Sequence, residues 1–191
     1  MTAIREKRRR EILAAALEIF SRDGYHKGTV EDIARLAGIG KATVYEYFSS
    51  KQEIFQEMLV HFLRNYEDLA REKTASQPSV RQKLLVLFDF NMEFLDRNAE
   101  VIERVFLGLE EGSRDLRPTI MAFHKRLYHF FLDLVELGLE SGEIGPGKNP
   151  HIISLLLINM VYGLANSGRA FGIQEEIKGQ DVMDLVFGGL T

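Results

Sequence analysis

The 191-residue chain contains no cysteine. Disulfides, thiolate metal sites and cysteine nucleophiles are therefore excluded, and a reducing compartment is the simple reading. No stretch alternates convincingly between apolar and polar residues as a strand would. There is no internal repeat and no low-complexity tract. The longest apolar run, Ile152 to Ala165, holds about 14 residues and is interrupted by Ser154 and Asn159. A bilayer span needs roughly 20, so this run reads as a buried helix and no membrane association is expected. The opening stretch MTAIREKRRREIL is positively charged but has no apolar core, so it does not read as a secretory signal, and a cytoplasmic location is expected. Catalytic patterns are missing as well. There is no metalloprotease HExxH and no paired Glu-x-x-His of a di-iron bundle, and His61, His124, His129 and His151 are scattered. No catalytic residue, metal or cofactor is expected.

What is present is an ordinary globular composition, 46% hydrophobic and 27% charged, with an uneven charge distribution. Residues 1–51 hold ten Lys/Arg against seven Asp/Glu, and the remainder fourteen against twenty-one, so a part at +3 is joined to a body at −7. A basic end on an acidic body points to a polyanionic partner at that end.

Helical periodicity runs through almost the whole chain. A first helix is expected from Ile4 to Asp23, with Ile12, Ala16, Ile19 and Phe20 as its apolar stripe and Gly24 as its stop. Thr29 caps a second, short helix, with Asp32 in a shortened capping box, and Gly38 ends it. Lys41 to Phe48 is a third. Ser50 followed by Glu53 opens a long helix to about Lys73. Further helices are expected over Val80 to Arg97, Ala99 to Glu111, Pro118 to Ser141, Pro150 to Phe171 and Glu175 to Gly188, about nine in all.

The stretch that carries chemistry is TVEDIARLAGIGKATVYEYFSSKQEIF, Thr29 to Phe55. Two short helices meet at Gly38-Ile39-Gly40, where Gly38 can take the positive φ the turn needs. Small Ala34 and Ala37 allow a close crossing. Ile33, Ile39, Val44 and Phe48 are spaced to share a core with the first helix. The third helix is left to project Lys41, Ala42, Thr43, Tyr45, Glu46 and Tyr47, a face too aromatic for plain solvated surface and suited to base edges and phosphates. Gly40-Lys41-Ala42-Thr43 looks like part of a phosphate-binding loop, but Arg35 stands at its first glycine and no strand precedes it. The cations Arg5, Lys7, Arg8, Arg9 and Arg10 read either as a solvated tail or as an arm on phosphate or the minor groove.

Residues 8–56 resemble the tetracycline-repressor (TetR) family of bacterial regulators. The resemblance rests on Phe20 with Gly24-Tyr25, on Thr29-Val30, Ile33-Ala34 and Ala37-Gly38, and on Tyr45, Tyr47-Phe48 and Ser50-Lys51. It implies that Thr29 and Lys51 grip phosphates, that Lys41, Ala42 and Thr43 face bases, and that Tyr45 and Tyr47 contact backbone or bases. It also implies a homodimer formed through the last two helices and a ligand-binding C-terminal bundle. Gly40 departs from the Ser that often caps the third helix, and Ala42 from a frequent Gly. Both departures bear on the target sequence.

The remainder is rich in Phe and Met between helices, which makes either a core or an apolar ligand site. Met92, Phe94, Phe106 and Phe123 are expected to line a cavity with a stripe of the Pro150 helix that holds Leu155, Asn159, Tyr162, Asn166 and Arg169. A small hydrophobic effector with a polar or anionic end would bind there. A second stripe, Met160, Gly163, Ser167 and Ala170, suits close helix pairing in a homodimer. The sequence thus predicts an all-α protein. A helix-turn-helix DNA-binding domain spans residues 1–51, and a ligand-binding and dimerisation domain spans 52–191. The predicted function is a ligand-responsive regulator, a repressor acting on double-stranded DNA. The alternatives are a helical ligand-binding or adaptor protein with a vestigial head, and a metal-binding enzyme of the ferritin-like class.

Overall fold

The computed structural model describes residues 3–98, 102, 117–170 and 178–190, with the side chains of 161, 162, 165–170 and 190 outside that description. Among the described residues there are eight helices and no strand, so the all-α class holds. The helices are α1 (Ala3–Lys27), α2 (Val30–Leu36), α3 (Lys41–Tyr47), α4 (Lys51–Ala75), α5 (Val80–Arg97), α6 (Arg117–Ser141), α7 (Pro150–Ala170) and α8 (Gly179–Leu190). The helix expected between Ala99 and Glu111 lies, Ile102 apart, outside the described residues. Residue Lys178 is non-helical, so α8 starts later than the periodicity suggests. The chain forms two compact units, Met1–Asn65 with Asn98–Ile120, and Tyr66–Arg97 with Met121–Thr191.

In the first unit, α1 changes direction at Gly24 (φ 77, ψ 167), and a further turn carries it to Lys27. Its apolar stripe, Ile12, Leu13, Ala16, Ile19 and Phe20, is buried against Val30, Ile33 and Ala34 of α2, Val44 of α3, and Ile54, Phe55, Met58 and Leu59 of α4. The α2–α3 turn is made by Gly38 in the left-handed region (φ 67), where a β-carbon would be strained. Capping follows the sequence with one difference. Thr29 Oγ1 accepts from Asp32 N at 3.1 Å, and Ser50 Oγ accepts from Glu53 N at 3.1 Å. Asp32 also draws on the Thr29 backbone, as the capping box expects, whereas Glu53 passes over its own cap residue. Asp32 accepts the Thr29 hydroxyl at 2.5 Å, and Glu53 reaches one residue further back, to Ser49 N and Oγ, both at 2.6 Å. Those bonds favour the ionised form and hold both carboxyls below the usual range.

The second unit is organised around α5. Its face Val80, Leu84, Leu87, Phe88 and Leu95 is buried, packing on α7 and α8. Glu143, from the loop after α6, caps α5 together with Ser79: its carboxylate accepts from Val80 N at 2.9 Å and Arg81 N at 3.0 Å, while Ser79 Oγ accepts from Gln82 N at 3.1 Å. The same loop drives Ile144 into the core beside Gly138 of α6. A β-carbon at Gly138 would lie 2.7 Å from Ile144 Cδ1 and 3.2 Å from Val80 Cγ1. Gly138→Ala is therefore expected to destabilise the protein by about 1–3 kcal/mol through overpacking, seen as a lower midpoint in thermal or urea unfolding. An unchanged midpoint would mean that Ile144 yields without cost.

Candidate nucleic-acid interface

Helix α3 is seven residues long, and its orientation is set by two anchors. Val44 is 0% exposed and Phe48, which ends the helix, 1%. With that side fixed inward, Lys41, Ala42, Tyr45 and Glu46 are exposed, and Thr43 and Tyr47 are half-buried. Tyr45 is 47% exposed. Lys41 Nζ lies 3.8 Å from Glu31 Oε2, both side chains being exposed, so the pair is screened and readily exchanged for a phosphate. The helix starts at Gly40 without a side-chain cap, as its sequence implied.

The expected phosphate grips are placed less simply. Thr29 stands at the N-terminus of α2, but its hydroxyl is engaged with Asp32 on both sides. Lys51 opens α4 and folds its ammonium back on the end of α1. It donates to His26 O at 3.2 Å and sits 4.6 Å from the Tyr25 ring centroid. Burial there pushes its pKa down. Tyr47 has Arg5 over its ring at 5.5 Å.

The arginine run at the start is helical rather than a loose tail, since α1 begins at Ala3. Arg8 pairs with Glu11 at 2.7 Å. Arg9, which the sequence presents only as one of five like cations, is the most engaged of the run. Its Nε donates to Glu57 Oε2 at 2.9 Å, its Nη2 to Glu57 Oε1, and its Nη1 to Tyr47 O at 2.8 Å. The signal was available: Arg9 precedes Ile12, Leu13 and Ala16 at helical steps, a charge inside the core-facing stripe.

In the second unit, Phe94 and Phe123 come together around a residue that the sequence reading missed, Tyr66. Ring centroids are 5.0 Å (Phe94), 5.5 Å (Phe90) and 5.6 Å (Phe123) from it. The Tyr66 hydroxyl donates to Asn91 Oδ1 at 2.5 Å, and Asn91 Nδ2 donates to Leu87 O at 2.6 Å. Met92 is half-buried on the same helix as Phe94. Beside Tyr66 a small cleft is lined by Glu67, Ala70, Arg71, Arg126, Leu127 and Phe130. Asn159 is not brought to this cluster. It is exposed, donates to Leu155 O at 2.8 Å, and shares a face with Ile152, Leu155 and Leu156. The reason is geometric: Ile153, Ser154 and Leu157 fill the buried side of α7, and Leu155 and Asn159 fall on the other. Phe106, and the side chains of Tyr162, Asn166 and Arg169, lie outside the described residues. No described group of acidic, His or Cys residues could hold a metal, and no described helix is long and apolar enough to cross a membrane.

Residues 12–58 match the family model for bacterial regulatory proteins of the tetR family. That segment belongs to the TetR family. Relatives over most of the chain's length agree. The chain is 26% identical over 155 residues to the fatty acid metabolism regulator protein of Bacillus subtilis, covering 79% of this chain and 78% of that protein. It is 25% identical over 186 residues to the HTH-type transcriptional regulator UidR of Escherichia coli, covering 95% and 92%. Among solved structures, the transcriptional regulator FadR from Bacillus subtilis in complex with stearoyl-CoA superposes with a TM-score of 0.75 at 20% identity, covering 95% of this chain and 98% of that one. These are regulators and not enzymes, which places this TetR-family chain with them.

Substitutions at Lys51 and Thr43 test the two kinds of contact expected from the sequence. Lys51→Ala is expected to weaken binding to all DNA sequences alike and to lower the slope of log K against log salt by about 0.9, one phosphate's worth. Thr43→Ala is expected to change the preference among sequences at a cost of about 1–3 kcal/mol. Titrations at several salt concentrations check both. An unchanged slope for Lys51→Ala would make its amine a tether to α1 and nothing more.

Proposed function

We propose that this TetR-family regulator is a ligand-responsive repressor that binds a near-palindromic operator as a homodimer and is released by a small hydrophobic molecule with an anionic end. The observation that carries the reading is the outward face of α3, where Lys41, Ala42 and Tyr45 are exposed over a buried Val44. Residues 1–51 form the DNA head in this reading. Lys41, Ala42 and Thr43 face base edges, Tyr45 and Tyr47 face base or backbone, and Thr29 and Lys51 exchange their internal partners for phosphate. Selection of bound DNA from a random pool tests it. The expected product is a pair of inverted half-sites about 34 Å apart or a multiple of that, the spacing of major grooves on one face.

A dimer is supported by apolar surface that a monomer has no reason to expose. On α7, Ile152 is 57%, Leu155 51% and Leu156 65% exposed, and on α8 Leu185 is 82% exposed. Two such helices from each copy would make a four-helix interface. Asn159 belongs to this face in the proposal, as does Gly163, whose absent β-carbon would have nothing within 4 Å. A side chain added at Gly163 starts into open space, so Gly163→Phe probes whether a partner covers this face. It is expected to give a soluble monomer in sedimentation, with greatly reduced operator affinity. A dimer of unchanged stability would move the interface elsewhere.

The effector class is supported by the aromatic cluster around Tyr66 and by the two fatty-acid-linked relatives. In this reading Met92, Phe94, Phe106 and Phe123 line the apolar part of the site, and Tyr162, Asn166 and Arg169 meet the polar end. A thermal-shift series of saturated acyl thioesters and free fatty acids is expected to raise the melting temperature with chain length. The same compounds should lower operator affinity. If none of them shifts the melting curve, the effector belongs to another chemical class.

A further inference from the structure

The run Arg5, Lys7, Arg8, Arg9, Arg10 invites the reading of five equivalent cations for one polyanion. The geometry separates one of them. The Arg9 side chain is only 21% exposed, against 76% for Lys7 and 42% for Arg8. All three of its nitrogens donate inward, two to the Glu57 carboxylate and one to the main-chain carbonyl of Tyr47. Its guanidinium also lies over the Phe48 ring, 4.3 Å from the centroid. Tyr47 is the last residue of α3, so its carbonyl is one of those a helix end leaves without an intrahelical partner. At the other end, Gly40 offers no side-chain cap.

We propose that Arg9 is a positioning residue of the DNA-reading helix. It is not a phosphate contact. It fastens the C-terminal end of α3 to α1 and, through Glu57, to α4. The fork geometry of arginine is what makes this work, since a carboxylate and a carbonyl are held at once by a planar group stacked on a ring. A lysine supplies the same charge without the fork. Glu57 is part of the same device: it fixes the guanidinium in the plane from which Nη1 reaches Tyr47 O.

This inference rests on the operator reading above, and its test distinguishes the two. The full-length chain and the variants Arg9→Lys, Arg9→Ala and Glu57→Gln are titrated on the selected operator and on random duplex at several salt concentrations. Active-site titration and circular dichroism report the folded fraction. Both Arg9 variants are expected to lose operator affinity by roughly ten-fold or more, the scale of charged hydrogen bonds. They should lose much less on random duplex, and the salt slope should stay unchanged. Glu57→Gln is the decisive arm. Removing an acidic charge from a DNA-binding head should raise affinity by simple electrostatics, whereas loss of positioning lowers operator affinity and the ratio of specific to random binding. A merely structural role would lower the active fraction and leave that ratio unmoved.

The proposal is overturned if Arg9→Lys binds operator as the parent chain does while Arg9→Ala loses one phosphate's worth of salt slope. It is equally overturned if Glu57→Gln binds as well as or better than the parent. A parent chain that selects no DNA at all defeats the operator reading itself, and this inference with it.

Discussion

A seven-residue helix cannot hold itself in water, and this constraint governs the whole head. Lys41 to Tyr47 includes two β-branched residues and two tyrosines, all poor helix formers, and it begins at a glycine. Its stability has to come from outside. Burying Val44 and Phe48 contributes about 1.5–3 kcal/mol each, and the partners that bury them come from α1, α2 and α4 together. The reading surface is thus a by-product of a core. Residues that cannot enter the core because Val44 and Phe48 already occupy it are the ones left on the outside, the face that the proposed function assigns to DNA.

The same economy shapes the charges. Residues 1–51 have a net charge of only +3, and most of their cations sit beside a carboxylate. Arg8 lies by Glu11, Arg22 by Asp23, Arg35 by Asp32 and Lys41 by Glu31. A phosphate that approaches this surface competes with internal acids for the same donors, so long-range attraction is modest and the exchange is local. The acids are not idle in the free protein. Asp32 and Glu53 are tied to Thr29 and Ser49 at helix starts, and both have depressed pKa values. The stability they contribute is present above the ordinary carboxylate range and is lost as the pH falls through their lowered values.

Much of this was legible in the sequence, for reasons that differ between the two units. The head is local: Thr29, Gly38, Ser50 and the apolar steps from Ile33 to Phe48 each act within a few residues, and periodicity with cap chemistry suffices to place them. What was missed there was long-range. Arg9 meets Glu57 across 48 positions, and nothing in a window of one helix announces that pair. In the second unit the helices were found but their facing was not fully assigned. On α7 the side that packs inward carries Ile153, Ser154 and Leu157, and the side left outside carries Ile152, Leu155 and Leu156. With apolar residues nearly all round the helix, periodicity alone cannot tell a core face from an interface face. Tyr66 was overlooked because a tyrosine on an apolar stripe looks like ordinary core. Its distinction is that its hydroxyl and its ring are served by different neighbours.

Tyr66 also determines what a ligand would have to do. The rings of Phe90, Phe94 and Phe123 are gathered on Tyr66, and its hydroxyl is satisfied by Asn91, whose own amide is spent on Leu87. The adjoining cleft has room for about one water. An apolar molecule that entered between these described rings would take volume that Tyr66 fills. That separates a buried hydroxyl from its acceptor unless the ligand's polar end replaces it. Tyr66 is the first residue of the second unit and lies on α4, whose stretch Lys51–Asn65 belongs to the first. A ligand changes DNA affinity only if it prefers one conformer over another. Under the proposed ligand response, Tyr66 is a side chain whose position such a ligand would bias. By linkage, an operator and a ligand that both acted on the position of Tyr66 would oppose one another by the same free energy.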